Sequence, residues 1–238
     1  MNTAKLIFIT ITVLFFFIFT GCRKEKIVKN VRLRGENGVA YEINQKEPFT
    51  GKAISKFRNG KISYEGFYRN GKRDGEIIFY NIDGKIEIKG FYKDGELDGK
   101  LVRHHNNGAI WTISFYKDGR LQGEYLQYNK NGTIRSKSFA KDKMAEGECI
   151  EYNRDGWISS KGSYKNGKLN GEYVAYHKNG KISSKVYYKN DKLDGEYVAY
   201  HENGKILYKS FYKDGILEGE RIEYDKDGKI RFKYFKEN

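Results

Sequence analysis

From Gly51 onward the chain is one 24-residue unit written seven times in full and an eighth time as far as Asn238, with no insertion or deletion between copies. The opening glycine recurs at Gly51, Gly75, Gly99, Gly123, Gly147, Gly171, Gly195 and Gly219. A clear copy is Gly171 to Asp194, GEYVAYHKNGKISSKVYYKNDKLD. A fixed period of this size marks a repeat architecture, in which each unit is one supersecondary element that cannot bury its apolar face alone. Core size therefore follows copy number, and the chain length of 238 residues decides little.

Within each unit the punctuation is that of β-hairpins. Every copy holds an Asn-Gly or Asp-Gly pair nine residues after its start, from Asn59-Gly60 and Asp83-Gly84 through to Asp227-Gly228. Such dipeptides supply the positive φ values of tight hairpin turns. A second turn closes the unit at Asn70-Gly71, Asp94-Gly95, Asp118-Gly119, Asn166-Gly167 and Asp214-Gly215. Lys143 and Asp191 replace the glycine of two such turns, and the lysine, poorly suited to positive φ, predicts an irregular turn after the fourth copy.

Between turns the residues alternate as half-buried strands do. The first strand carries an aliphatic column, Ile54, Ile78, Val102, Leu126, Ile150, Val174, Val198 and Ile222, with tyrosines such as Tyr80 and Tyr128 two positions on. The second strand carries an unvarying isoleucine column from Ile62 to Ile230. Beyond it comes a small position (Gly66, Gly90, Ser114, Ser138, Gly162, Ser210) and then tyrosine (Tyr68, Tyr92, Tyr116, Tyr164, Tyr188, Tyr212). Small residues there let rings lie flat on the neighbouring strand, and these columns together predict one continuous apolar face. The expectation is an all-β protein: an elongated antiparallel meander of sixteen strands over 48–238. Ile, Tyr and Phe dominate its apolar set, and Pro48 is its one proline.

Ahead of the repeats, residues 22–47 read as a tether, RKEKIVKN, followed by degenerate capping strands at Val31–Leu33 and Val39–Ile43. Residues 1–21 read as a signal peptide: Lys5, an uncharged run from Leu6 to Phe19 too short to span a bilayer comfortably as a helix, then Thr20 and Gly21. The Gly21-Cys22 pair resembles the lipobox of bacterial lipoproteins, although Phe19 stands where that family has a smaller aliphatic residue. The resemblance implies cleavage before Cys22, a lipid on its thiol, and an exported protein held at a membrane surface; an uncleaved anchor or an ordinary secretory signal are the alternatives. Cys149 is the other cysteine, so no internal disulfide remains in the lipidated form. It occupies a strand position that other copies fill with Tyr125, Tyr173 and Tyr197, and reads as a small half-buried side chain.

The recurring segment Phe91-Tyr92-Lys93-Asp94-Gly95-Glu96-Leu97-Asp98-Gly99, seen again from Phe211 to Gly219, resembles the bacterial variant of the MORN repeat. With the lipobox, the chain is similar to the YwqK-type antitoxins of toxin-antitoxin systems. The resemblance implies an antiparallel repeat sheet that binds proteins or lies near membranes and has no enzymatic activity. It brings in no cofactor.

Candidate chemistry is sparse. His104, His105, His177 and His201 offer one ligand per hairpin, where zinc asks for three or four converging, so no metal site is expected. Glu124, Glu148, Glu172, Glu196 and Glu220 follow the opening glycines as solvated structural acids. Phosphate loops and nucleophile elbows are missing from the sequence. The candidate ligand-binding residues are Lys89, Lys137, Lys161, Lys185, Lys209 and Lys233, a row two residues before the aromatics Phe91, Phe139, Tyr187, Phe211 and Phe235. With a formal charge of +14, that row could grip anionic lipid or envelope glycan; the other reading is lysine stems covering a second apolar layer. Another protein is the expected partner, with a glycan or anionic-lipid module as the alternative. Nucleic acid is disfavoured for an exported chain, and the presence of only two tryptophans, Trp111 and Trp157, weighs against carbohydrate stacking.

Overall fold

The computed structural model describes residues 27–29, 32–33, 38–42 and 44–235. Cys22, the hydrophobic run before it and the last three residues lie outside the described residues. All described secondary structure is β. Three short strands precede the repeats: β1 (Ile27–Lys29), β2 (Arg32–Leu33) and β3 (Ala40–Tyr41). The first four hairpins are β4 (Gly51–Lys56) with β5 (Ile62–Arg69), β6 (Lys72–Tyr80) with β7 (Ile86–Lys93), β8 (Glu96–His104) with β9 (Ile110–Lys117), and β10 (Arg120–Tyr128) with β11 (Ile134–Lys141). The fifth begins with two pieces, β12 (Met144–Ala145) and β13 (Gly147–Tyr152), and ends with β14 (Ile158–Lys165). Then come β15 (Lys168–Tyr176) with β16 (Ile182–Lys189), β17 (Lys192–Tyr200) with β18 (Ile206–Lys213), and β19 (Ile216–Tyr224) with β20 (Ile230–Phe235).

From β4 to β20 the strands pair antiparallel in sequence order, β12 and β13 both pairing with β11 as pieces of one strand, giving the open hairpin-repeat sheet that the period dictates. The segment expected as a pure tether contributes a strand of its own: β1 pairs in parallel with β4, Val28 opposite Ala53, and so covers an otherwise open edge. β2 and β3 pair antiparallel across residues 34–39. The β3 segment also closes the start of the sheet. The Ala40 N–H donates to the Gly71 carbonyl at 2.7 Å and the Phe49 N–H to the Ala40 carbonyl at 2.8 Å, and Ala40, Phe49, Ala53 and Tyr68 form a buried cluster.

The two turn families differ, which corrects the reading of the first. At Asn70-Gly71 both residues have positive φ, 49° and 75°, as a two-residue type I′ turn requires. At Asn59-Gly60 only the glycine does, at 83°. There the Gly60 N–H donates to the Phe57 carbonyl and the Phe57 N–H to the Lys61 carbonyl, which makes a three-residue loop with glycine in the left-handed position. A bulge follows at once, where Ser55 pairs with Tyr64 but Lys56 with Ile62. The longer loop moves the register by one residue and the bulge moves it back. All eight hairpins repeat this compensation.

Register also corrects the prediction of one continuous apolar face. Ile78 pairs with Lys89 and Val198 with Lys209, while Ile77 pairs with Gly90 and Tyr197 with Ser210. Residues opposite each other in a ladder share a face, so the aliphatic column of the first strand lies with the lysines. The small and tyrosine columns of the second strand lie on the other side. That tyrosine side is the better packed. Across it runs Ala53, Gly66, Ile77, Gly90, Leu101, Ser114, Tyr125 and Ser138, each large side chain standing between two small ones. The small residues do what their size suggests: a Cβ at Gly66 would run into the Tyr64 hydroxyl and Ile77, and one at Gly162 into Tyr173 and Leu169. Tyr64 and Tyr68 hydroxyls bond to each other at 2.7 Å, and burial followed by that bond pushes the Tyr64 phenol well above its ordinary range.

The irregularity expected at Lys143 appears beside it. Asp142 and Lys143 keep type I′ signs, φ 50° and 70°, and the break comes at Glu146, whose N–H reaches back to the Phe139 carbonyl and splits the strand into β12 and β13. A non-glycine residue held left-handed costs about 1–2 kcal/mol, partly offset by the greater unfolded-chain freedom of glycine. Lys143→Gly is therefore expected to stabilise the protein by about 0.5–1 kcal/mol, read as a shift in urea midpoint at unchanged slope.

Candidate interaction face

On the lysine side of the sheet two rows run from strand to strand. One alternates aliphatic with lysine: Leu126 pairs with Lys137, Lys161 with Val174, Val174 with Lys185 and Lys185 with Val198. The other alternates acid with aromatic: Glu76 pairs with Phe91, Glu124 with Phe139, Glu172 with Tyr187, Glu196 with Phe211 and Glu220 with Phe235. Successive aromatics sit two strands apart, about 10 Å. Phe91, Phe115, Phe139, Tyr187, Phe211 and Phe235 are each 36–62% exposed. Ser163 interrupts the series in the fifth hairpin.

The six candidate lysines are all placed on this face, and each has a carboxylate partner one strand away and two residues along. Lys89 pairs with Glu76 (2.7 Å), Lys137 with Glu124 (2.7 Å), Lys161 with Glu148 (3.9 Å), Lys185 with Glu172 (2.5 Å), Lys209 with Glu196, and Lys233 with Glu220 (3.9 Å). The first hairpin keeps the pair with its polarity reversed, Lys52 to Glu65 at 2.8 Å. The row is thus a ladder of ion pairs with the glutamates that looked merely solvated in the sequence. Val174 and Val198, each between two lysines, are buried, so the lysine stems cover apolar side chains while their ends meet carboxylates. Exposed pairs of this kind contribute little to stability; what they fix is an apolar stripe with a neutralised border.

Electrostatics elsewhere repeats the pattern. The Lys185 ammonium holds the Glu172 carboxyl below its usual range, Lys117 does the same for Asp98 and Lys213 for Asp194, and the Lys229 backbone N–H does so for Asp225. The lysines move the other way: carboxylate partners raise Lys117, Lys137, Lys185, Lys209 and Lys213. A depressed carboxyl stabilises the fold above its unfolded pKa, about 4.3 for Glu, and that contribution disappears as pH falls through the folded value. A raised lysine stabilises below its unfolded pKa, about 10.4, and loses the contribution as pH climbs through the folded value. The melting temperature is expected to be flat between about pH 5 and pH 8 and to fall on both sides, on the alkaline side first through the Cys149 thiol that burial raises and then through the lysines, with added salt lowering the plateau slightly.

Three of the four histidines have structural employment. His105, His177 and His201 reach the carbonyls of Tyr128, Tyr200 and Tyr224 in the next unit, at 3.1, 2.9 and 3.2 Å. Asn107, Asn179 and Asn203 donate to the following turn in parallel with them. Where the histidine slot holds Asn81, Asn153 or Asp225, the side chain instead accepts from the backbone of its own turn. Among the described residues no three His, Cys, Asp or Glu side chains gather as metal ligands. Recesses lie between successive turns; the one lined by Lys117, Asp118, Arg120 and Asp142 joins two units, and its charges neutralise one another, with Lys117 on Asp98 at 2.8 Å and Arg120 near Asp142 at 3.9 Å. Cys149 is half-buried opposite Gly162, and burial, with Glu151 adding to it, pushes its thiol up and away from the reactive thiolate.

A family model described as MORN repeat variant matches residues 49–70, 73–94, 121–142, 145–166, 169–190, 193–214 and 217–235, passing over the third hairpin. No curated protein matches the chain.

Proposed function

The chain belongs to the MORN repeat variant family, and from that premise we propose that it is a non-enzymatic protein-interaction module, held at a membrane surface on the exported side by a lipid on Cys22. Its partner docks on the exposed aromatic row. The observation that carries this reading is that row: six half-exposed rings in line on one face, bordered by neutralised ion pairs in every hairpin but the third. Aromatic side chains ringed by polar groups are what protein interfaces select, because rings bring large contact area at low conformational cost. The paired lysines support a protein over anionic lipid or glycan, since an electrostatic grip needs cations without partners. The finer reading, an antitoxin-like or immunity-like role, comes from the resemblance to YwqK-type antitoxins; it fits a module that works by covering another protein.

The test combines Phe139→Ala, Tyr187→Ala and Phe211→Ala, substitutions of half-exposed rings that leave the tyrosine side untouched. Wild-type chain immobilised against a detergent extract of the cell envelope should retain one protein in stoichiometric amount, and the triple variant should lose it. Unchanged retention by the variant would overturn the reading. Salt-sensitive retention on anionic vesicles by both forms would favour the lipid alternative. Separately, Cys22→Ser should move the protein from the membrane to the soluble fraction.

A further inference from the structure

Seven of the eight hairpins carry the diagonal Lys–Glu pair, once with the polarity reversed, and the third does not. In that hairpin Lys100 stands where other units place the acid, and Ile113 where they place the lysine. Both changes fall within the segment that the family model passes over. Their joint effect is to open the charged border. Val102 pairs with Ile113 and Ile113 with Leu126, so three aliphatic side chains adjoin without an intervening lysine. Lys100 pairs with Phe115, and Phe91 stands on the neighbouring strand. Lys100 is exposed and, among the described residues, has no carboxylate within ion-pair distance. The pairs Lys89–Glu76 and Lys137–Glu124 bound this patch on either side.

We propose that the patch formed by Phe91, Lys100, Val102, Ile113, Phe115 and Leu126 is the docking site for a protein segment that presents apolar side chains around a single carboxylate, which pairs with Lys100. This deepens the reading of the aromatic face and rests on it. Charge complementarity selects the occupant. A wholly apolar segment would bury the Lys100 ammonium without a partner, and a basic one would set like charges together, both strongly disfavoured once water is excluded. A carboxylate at the centre, apolar contacts around it and ion pairs at the rim give the usual arrangement of a specific interface. The lysine works against wrong partners as much as for the right one.

The decisive variant restores the pair found in the other units, Lys100→Glu with Ile113→Lys, which leaves the tyrosine side untouched. The probes are three labelled nonapeptides of alternating leucine and serine with aspartate, asparagine or lysine at the centre, titrated against full-length protein by fluorescence anisotropy. The aspartate peptide is expected to bind wild type about tenfold more tightly than the other two, to lose that advantage on the double variant, and to yield it to the lysine peptide on Lys100→Glu alone. Equal binding of the three, binding by none, or an aspartate preference that survives in the double variant would overturn the proposal. If the preference survives there but disappears with Tyr187→Ala and Phe211→Ala, the aromatic face stands as the interface and only its assignment to the third hairpin falls. Concentration-dependent sedimentation of the wild type as a dimer, abolished in the double variant, would make a second copy the occupant and equally overturn it.

Discussion

Ile77→Ala should cost about 2–5 kcal/mol and should divide unfolding into two stages. Ile77 is 1% exposed, the largest fully buried side chain among the described residues. It lies in the row between Gly66 and Gly90, which have no side chains with which to fill a cavity. In a compact domain such a loss would lower one cooperative transition. In a repeat array each unit touches only its neighbours, so damage to the second hairpin weakens its junctions on both sides and leaves distant units as they were. Trp111 in the third hairpin and Trp157 in the fifth, the two tryptophans of the chain, lie at different distances from the lesion. Fluorescence of single-tryptophan forms should therefore show the Trp111 transition moving to lower urea further than that of Trp157. Coincident shifts would mean that the sheet melts as one block.

The fold could be read from the sequence because its main determinant is a period. Eight opening glycines in phase leave one topology, and the alternation within units gives strands. What escaped was register. Ile54 and Ile78 belong to one column and Gly66 to another, and nothing in either column alone says that they point to opposite sides; the answer needs the hairpin pairing, in which Ile78 meets Lys89. The same omission separated Lys185 from Glu172. Each belongs to a row of its own in the sequence, and the two rows become a ladder of ion pairs only when strands are laid side by side. The loop at Asn59-Gly60 is ambiguous in the sequence for a related reason, since Asx-Gly serves both two-residue and three-residue loops, and the bulge that compensates for the longer one leaves no residue signature. The third hairpin did carry a readable signal: Lys100 and Ile113 depart from their columns together, and a search for paired departures would have found them.

Excision of Gly171–Asp194, one repeat of 24 residues, should leave a folded protein, whereas excision of Gly171–Gly195, one residue more, should not. In the first, Asn170 is followed by Gly195 as Asp194 was. Gly195, with φ 139° like Gly171 at 124°, takes the glycine position at the register shift between Leu169 and Tyr173, and Leu169 and Tyr197 keep the spacing that Leu169 and Tyr173 have in the intact chain, where Leu169 meets Tyr164 and Tyr173 meets Gly162 on one face. The sheet simply loses one hairpin. Its denaturant slope should fall by about one eighth, in proportion to the surface buried, with the β-sheet circular dichroism per residue unchanged. In the second, Asn170 runs into Glu196 with no glycine between, and the step from Leu169 to Tyr197 shortens from four positions to three. One of the two must then leave the tyrosine side for the lysine side, because side chains alternate strictly along a strand. Either the Leu169 contact with Tyr164 is given up or the large-small row breaks at Gly162, and every hairpin after the junction inherits the choice. The expected result is loss of cooperative unfolding, with aggregation through the exposed apolar face. If the 25-residue deletion melted as sharply as the 24-residue one, the junction strand would not be held to its register, and the strict period would have to be explained by something other than the sheet.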